Sequence, residues 1–497
     1  MKELPIHQAY VARTFGKNSI SNSEDYKSIL FMNGNYTSSI QTDKCIFFGE
    51  LSSENAKIVG VKLNPFVDIP MSRITNGVES SYSSAKIIYQ QHDVMKSPYQ
   101  ERYFKRYDFT DEWNNLGYGA IEAGGPWGIG CCAEPIDCTI LAYADYGDGF
   151  TIPFITVKDY PDFSVLWINR LNGLPDGLDG QIIERFVSDY RSEELACIPS
   201  IGNVPEGYCA GVTMRLDCDQ NIISAKKLFD YYQTVKMPFS VAVCTSVGID
   251  EEAKTLLAKI LMTKGAVLSH SVNHITNWGE TEEIAYREAY TSKKLIEEAL
   301  PGNKVRFGVS PFHTNAPYSV QSLAKAGYYG FIGGIIHNDP EFLVGYGGVV
   351  PGCTDDMITH SQQCMVHGDC YHRAGNKIDI YLESFRMHYL ANSIWGYLDH
   401  PFSDAYQYGW YSEEERIGVH AAILDYVRGY GNIWYCNEGE CLDFILKRSS
   451  IALAVKDGNV YAGWDERIPG PLPMIRYNGK HYSLGKGMCH QIDKSEQ

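Results

Sequence analysis

The sequence predicts an α/β protein: a distorted barrel of seven or eight strand–helix units, preceded by a strand-rich α/β accessory region. Three observations carry this. From residue 208 onward, strand-like and helix-like segments alternate, which implies a parallel sheet covered by helices. Residues 1 to about 200 are instead rich in Ser, Asn, Tyr, Gly and Asp, with short apolar runs between turn signals. Three clusters of ligand-type residues then fall directly after strand candidates, at the strand ends where a barrel keeps its chemistry.

The accessory region, 1–205, holds the strand candidates Cys45–Phe48, Ile152–Val157 and Val165–Asn169, separated by turns such as Tyr146–Gly149 and Leu174–Gly177. Gly177–Val187 reads as a helix with Ile182, Ile183 and Phe186 on one face. Pro199–Gly207 is the expected boundary. The barrel, 206–450, opens with strand Gly211–Leu216 and helix Ile223–Val235, then strand Phe239–Cys244 and helix Glu251–Thr263. Ala266–Ser269 precedes a long helix, Thr281–Leu300, and Lys304–Val309 precedes Ser319–Ala326. Tyr329–Gly333, Ile378–Ser384, Ile394–Leu398 and Asn432–Cys436 complete the strand candidates. Residues 451–497 read as a β extension packed on one of the other domains.

With 497 residues, 44% of them hydrophobic and 21% charged, the chain is globular rather than disordered. The net charge of −17 argues against a nucleic-acid partner, which needs a basic surface. No apolar run approaches the roughly 18–20 residues of a membrane helix. The N-terminus lacks the apolar core of a secretory signal, and the 14 scattered cysteines then read as reduced thiols, so a cytoplasmic location is expected.

Asp217-Cys218-Asp219 closes the first barrel strand, His270-Ser271-Val272-Asn273-His274 follows another strand end, and Leu398-Asp399-His400-Pro401 follows a late one. Histidines at i and i+4 share one face of a helical turn, so His270 and His274 can reach one ion. A carboxylate from a neighbouring strand end would complete a three-ligand site with a position left for water or substrate.

These motifs resemble the polysaccharide deacetylases of the NodB-homology group (carbohydrate esterase family 4), whose fold is a distorted (β/α) barrel. The matching stretches are Asp217/Asp219, Gly265 to His274, Val305 to Asn315 followed by Gly327-Tyr328, and Leu398 to Pro401, recurring in the family's order over roughly residues 208–450. The resemblance implies that Asp219, His270 and His274 hold zinc, or another divalent transition ion such as cobalt or nickel. It makes Asp217 the general base and His400 the general acid. The backbone N–H near Phe312 would help hold the oxyanion. His313 stands where the family has Gly and reads as a residue lining the site or, equally, as a packed loop histidine.

Two departures stand out. The family's third-motif Arg stands directly before the turn, whereas Arg306 is early by two or three positions; if it is displaced from the substrate-binding site, Arg215 or Arg386 could orient the base. The Trp/Asp motif that tunes the acidic histidine has no match; Asp399 should point away, and Asp339 is a stand-in. The segment Cys353–His372 carries metal-ligand residue types (Cys353, His360, Cys364, His367, Cys370, His372) and reads as a substrate-contacting loop or a second metal site. Gly124–Gly130 reads as a plain turn, and Cys131 and Cys132 as buried thiols. Trp395, Trp410 and Trp434 fit sugar-stacking surfaces or core packing.

The expected function is metal-dependent removal of acetyl from an N-acetylated amino sugar in a surface glycan, capsule or O-antigen, or its precursor. The alternatives are another C–N amide on the same scaffold, or a degenerate carbohydrate-binding protein. Oligomeric state stays open.

Overall fold

The computed structural model describes residues 5–19, 29–34, 42–65, 73–75, 78–80, 86–94, 101–103, 129–147, 149–169, 177–333, 347–350, 353, 356–361, 364–485 and 490–491. Asp339 and Gly124–Gly128 lie outside them.

Parallel strands form the barrel wall. Ala210–Cys218 sits between Ser240–Val243 and Ile394–Asp399, and the wall continues through Ala266–Ser269, Phe307–Val309 and Gly330–Gly333 to Ile358–Ser361. On the other side Ile394–Asp399 pairs with Cys364–Met365, which ends the sheet. Beyond Ile358–Ser361 only the short antiparallel strand Gly348–Val349 is added, and the two ends of the parallel run, Ser361 and Cys364, are three residues apart in the chain. At roughly 3.3–3.6 Å per residue their Cα atoms lie within about 11 Å, so the sheet must curl round on itself, with a seam between its last two strands. That makes it a distorted barrel.

Side-chain alternation sorts the wall into two faces. Val212, Met214, Leu216, Val241, Val243, Val267 and Phe331 point outward into the packing with the covering helices. Ala242, Leu268, Phe307, Val309, Ile332, Ile358 and Ile394 point inward, where Cys441, Leu442, Phe444 and Ile445 of helix Glu438–Ser449 join them. That helix plugs the end of the barrel at which the strands begin, and leaves the C-terminal strand ends for the polar residues. The helices start on matched caps: Asp250 accepts from the Ala253 N–H and Thr281 from the Ile284 N–H, each followed by two glutamates that suit the helix N-terminus.

Ile378–Ser384 does not form the expected strand. The stretch belongs to helix Asp379–Leu390, which buries Tyr381, Ser384, Phe385 and His388. That i, i+3, i+4, i+7 spacing is helical, and the alternating Ile-Asp-Ile at its start misled the period. The expected boundary is also structured: Ser200–Pro205 is a strand paired with Pro473–Tyr477 of the C-terminal region. Ile201, Ile451, Leu453, Val460, Ala462 and Ile475 bury one another there.

The N-terminal region carries a mixed seven-stranded sheet, from Ile29–Asn33 through Lys44–Phe48, Ser164–Ile168, Thr151–Asp159, Thr139–Asp145 and Lys86–Tyr89 to Glu101–Tyr103. Its core includes Ile182, Ile183 and Phe186 of helix Gly177–Ser188 and reaches Ala391 of the barrel. Among the described residues every cysteine is an unbridged thiol, and no helix is long and apolar enough to cross a membrane.

His360 shares the inner face of its strand with Ile358, and burial, then the neighbouring His388, push its pKa down to about 3. An unfolded histidine titrates near 6.5, so the fold favours the neutral ring. This contribution is complete above pH 6.5 and is lost as pH falls from there toward 3. Acidifying from pH 7.5 to 5 should therefore cost about 2 kcal/mol through this residue alone. Urea unfolding of wild type and His360→Leu at both pH values checks it: the wild type should lose about that much more stability than the variant, and equal losses would contradict the assignment.

Candidate active site

Five of the predicted residues meet at the C-terminal mouth of the barrel. Asp219 follows the first strand, and its Oδ1 lies 3.2 Å from His270 Nε2 and 3.6 Å from His274 Nε2. Its Oδ2 lies 3.5 Å from His400 Nε2 and accepts a hydrogen bond from the Tyr408 hydroxyl at 3.3 Å. Asp217, the last inward residue of that strand, is buried within electrostatic reach of His270 and His400.

The two histidines do not converge for the reason that spacing alone suggests. Residues 270–274 form no helical turn; Ser271 and His274 adopt left-handed backbone with φ of 65° and 53°. The loop is held from outside by Glu288 of helix Glu282–Ala299. One carboxylate oxygen accepts the Val272 and Asn273 N–H groups at 2.9 and 2.8 Å, and the other accepts the Asn273 amide at 2.6 Å. Buried Glu288 is thus a site-shaping residue that no motif announced.

The donor set fits a divalent transition ion. His270 Nδ1 lies 2.9 Å from the Val309 carbonyl, an acceptor, so Nδ1 carries a proton and Nε2 is the ring atom turned to Asp219, the one that would face a metal. Asp219 Oδ1 is buried and has no hydrogen-bond partner. Two imidazole nitrogens and a carboxylate oxygen facing one another repel unless a cation sits among them, and one proton could relieve only one pair. Burial lowers the His274 pKa to about 4, which keeps this ring neutral as a ligand must be. The His274 side chain is 23% exposed against 2% for His270, so access to the cluster comes from the His274 side.

The base candidate is oriented by its own strand neighbour. Arg215 Nε donates to Asp217 Oδ1 at 2.7 Å and Nη2 to Oδ2 at 3.0 Å, and both residues are buried. Burial alone would raise the Asp217 pKa; Arg215 first, then His270, outweigh it and hold the carboxyl below the usual range. Asp217 is therefore ionised at neutral pH but weakly basic. Arg306, expected to help bind substrate, is placed elsewhere. It precedes strand Phe307–Val309, at the opposite end from the mouth, and pairs with Asp443 of the plugging helix. Arg386 pairs with Glu383 on its own helix.

Phe312 and His313 occupy the loop after the fourth strand in left-handed backbone, φ 51° and 59°. Phe312 is 44% exposed with its ring 4.6 Å from that of His274, on the open side; His313 is buried.

The residues around His400 were largely illegible in the sequence. Asp399 points to the outer face, where His420 at 2.9 Å and Arg416 at 3.2 Å bind its Oδ2. His400 Nδ1 instead meets His367 Nε2 at 2.7 Å, and the Tyr408 ring stacks on His400 at 4.2 Å and 16°. His367 belongs to the flagged Cys353–His372 segment, whose ligand-type side chains do not gather: His360 is inside the wall, and His372 stacks on Tyr411. His367, Asp399 and His400 do lie close together, but the Asp399 oxygens are already taken. Trp395 and Trp410 are core residues, and Trp434 packs on Phe444.

The barrel can be set beside solved structures. A protein assigned as a polysaccharide deacetylase from Mycobacterium smegmatis aligns at 12% identity over 48% of this chain and 90% of its own, with a TM-score of 0.38. A family 4 acetyl xylan esterase from Clostridium thermocellum, in complex with a cobalt ion, aligns at 11% over 47% and 90%, with a TM-score of 0.32. A family 4 pseudoenzyme from Bacillus anthracis aligns at 15% over 52% and 71%, also at 0.32. No protein-family model matches the sequence, and no curated protein does. The barrel of this chain holds, at its mouth, a ligand-type triad flanked by an ionised carboxylate and a buried histidine.

Proposed function

We propose that the protein is a metal-dependent hydrolase that removes the acetyl group from an N-acetylated amino sugar of a surface glycan or its precursor. The observation that carries this reading is the convergence of Asp219, His270 and His274, all acceptors, beside Asp217 on one side and His400 on the other.

An amide is a weak electrophile with a poor leaving group. Zinc, or cobalt or nickel, held by Asp219, His270 and His274 would supply a Lewis acid and bring the pKa of water toward ~7. Asp217, ionised and fixed by Arg215, would take the proton of the attacking water. Because its own pKa is low, that transfer depends on the water being acidified. His400 would protonate the departing nitrogen, and the Phe312 backbone N–H would steady the developing oxyanion. Each positioned acid or base is worth roughly 10²–10⁴-fold. The exposed ring of Phe312 beside His274 offers an apolar face of the kind on which a sugar ring packs. The unbridged thiols suit a reducing compartment, which supports a cytoplasmic precursor as substrate.

The test is metal analysis of the purified protein together with acetate release from a panel of N-acetylhexosamines and their oligomers. Stoichiometric metal with acetate release supports the reading. Metal without acetate from any sugar would move the activity to another amide, and sugar binding without metal would make the protein a binder only.

A further inference from the structure

The segment that follows strand Cys364–Met365 places a second histidine, His367, directly behind His400. Both are buried, at 1% and 5% exposure, and their nitrogens approach to 2.7 Å. Two imidazole nitrogens at that distance share one proton: one donates and the other accepts. The other His400 nitrogen, Nε2, faces the Asp219 carboxylate at 3.5 Å. If His400 donated from Nδ1 to His367, its Nε2 would turn a bare lone pair toward that carboxylate, which is repulsive. If His367 donates, His400 Nε2 carries the proton and the contact is attractive.

We propose that His367 is a positioning residue that donates its Nε2–H to His400 Nδ1 and so holds His400 as the Nε2–H tautomer, with its proton aimed at the site. This rests on the reading of His400 as the proton donor. A carboxylate would be the commoner orienting group, but the neighbouring Asp399 is committed to His420 and Arg416 behind the wall.

The surrounding backbone is built to hold the pair. Residues on either side of His367 are tied to the two segments that form the pocket: the Val366 N–H donates to the Leu398 carbonyl on the His400 strand at 2.8 Å, and the Gly368 N–H to the Tyr408 carbonyl at 3.0 Å. Gly368 and Gly409 let these segments touch. A Cβ at Gly368 would lie 2.2 Å from Gly409 backbone, and one at Gly409, where φ is +77°, would lie 2.3 Å from the Asp369 nitrogen. Arg416 fixes the other side by donating to the His400 carbonyl at 2.9 Å. His367, His400 and the stacked Tyr408 ring therefore form one rigid unit.

The tautomer can be read directly, without a substrate, from nitrogen NMR of the full chain labelled at histidine, with the His400 signals assigned by loss in His400→Gln. The expected spectrum shows a protonated Nε2 and a bare Nδ1 for His400; a protonated Nδ1 would overturn the proposal. Kinetics with N-acetylglucosamine oligomers give the second measurement. His367→Leu should lower kcat by roughly 10²-fold with KM and metal content within about twofold. His367→Gln, whose amide can still donate, should recover most of the loss. Equal losses in Leu and Gln variants, or none in either, would overturn the positioning role. If His400→Ala itself keeps full turnover, the reading of His400 as acid has failed; if it loses turnover while His367→Leu does not, only the role of His367 has.

Discussion

Replacing Asp217 with Asn should leave metal content unchanged and reduce kcat by roughly 10²–10⁴-fold, the range for a lost general base. The side chain keeps its shape and the proposed ligand set is untouched, so the loss should appear in kcat rather than in metal stoichiometry. A second effect comes with it. Arg215 is buried and its guanidinium is bound to both Asp217 oxygens; removing the negative partner leaves a buried, uncompensated charge, a change that costs about 3–5 kcal/mol. The variant should therefore unfold at a lower temperature, and activity must be compared well below that midpoint. Turnover at the wild-type rate, with metal bound, would remove Asp217 from the base role whatever the stability.

His274→Ala should abolish metal retention while the chain stays folded. His274 is the most exposed member of the triad, and its ring contacts are to His270 and Phe312 at the mouth rather than to the core. The loss in affinity should exceed the roughly 10–100-fold that removal of an outer-shell partner costs. Metal per chain after dialysis measures this. Thermal unfolding gives an independent check, since a metal present at 100 times its Kd stabilises by about 2.7 kcal/mol. Added zinc should raise the wild-type midpoint and leave the variant's unchanged. Equal zinc responses would show that His274 is not a ligand.

The two predictions differ in how much of their basis was legible in the chain. Asp217, Asp219, His270, His274 and His400 stand out because each follows an apolar strand segment, and a barrel directs such positions to one end. The partners that give them their states did not stand out. Arg215 lies two residues before Asp217, on the same face of the strand, so the alternation that points Asp217 inward also delivers its guanidinium. Arg306 was the family-like candidate, but it precedes its strand and so falls at the plugged end. Glu288 looked like one more glutamate on a charged helix, and His367 like a member of a cysteine–histidine run. Neither role has a sequence signal, because the contacts that define them join residues 15 or 16 apart for Glu288 and 33 apart for His367.

By itself the sequence determined the alternation of strand and helix, the face each strand buries, and the residues that would gather at the C-terminal mouth. These follow from local period and chain order, which every residue carries with it. Only the tertiary structure decided which nitrogen of His270 faces the site, that a glutamate clamps the histidine loop, and that one histidine backs another. Those depend on distances of about 3 Å between segments remote in the chain, set by how the wall closes and how the covering loops pack.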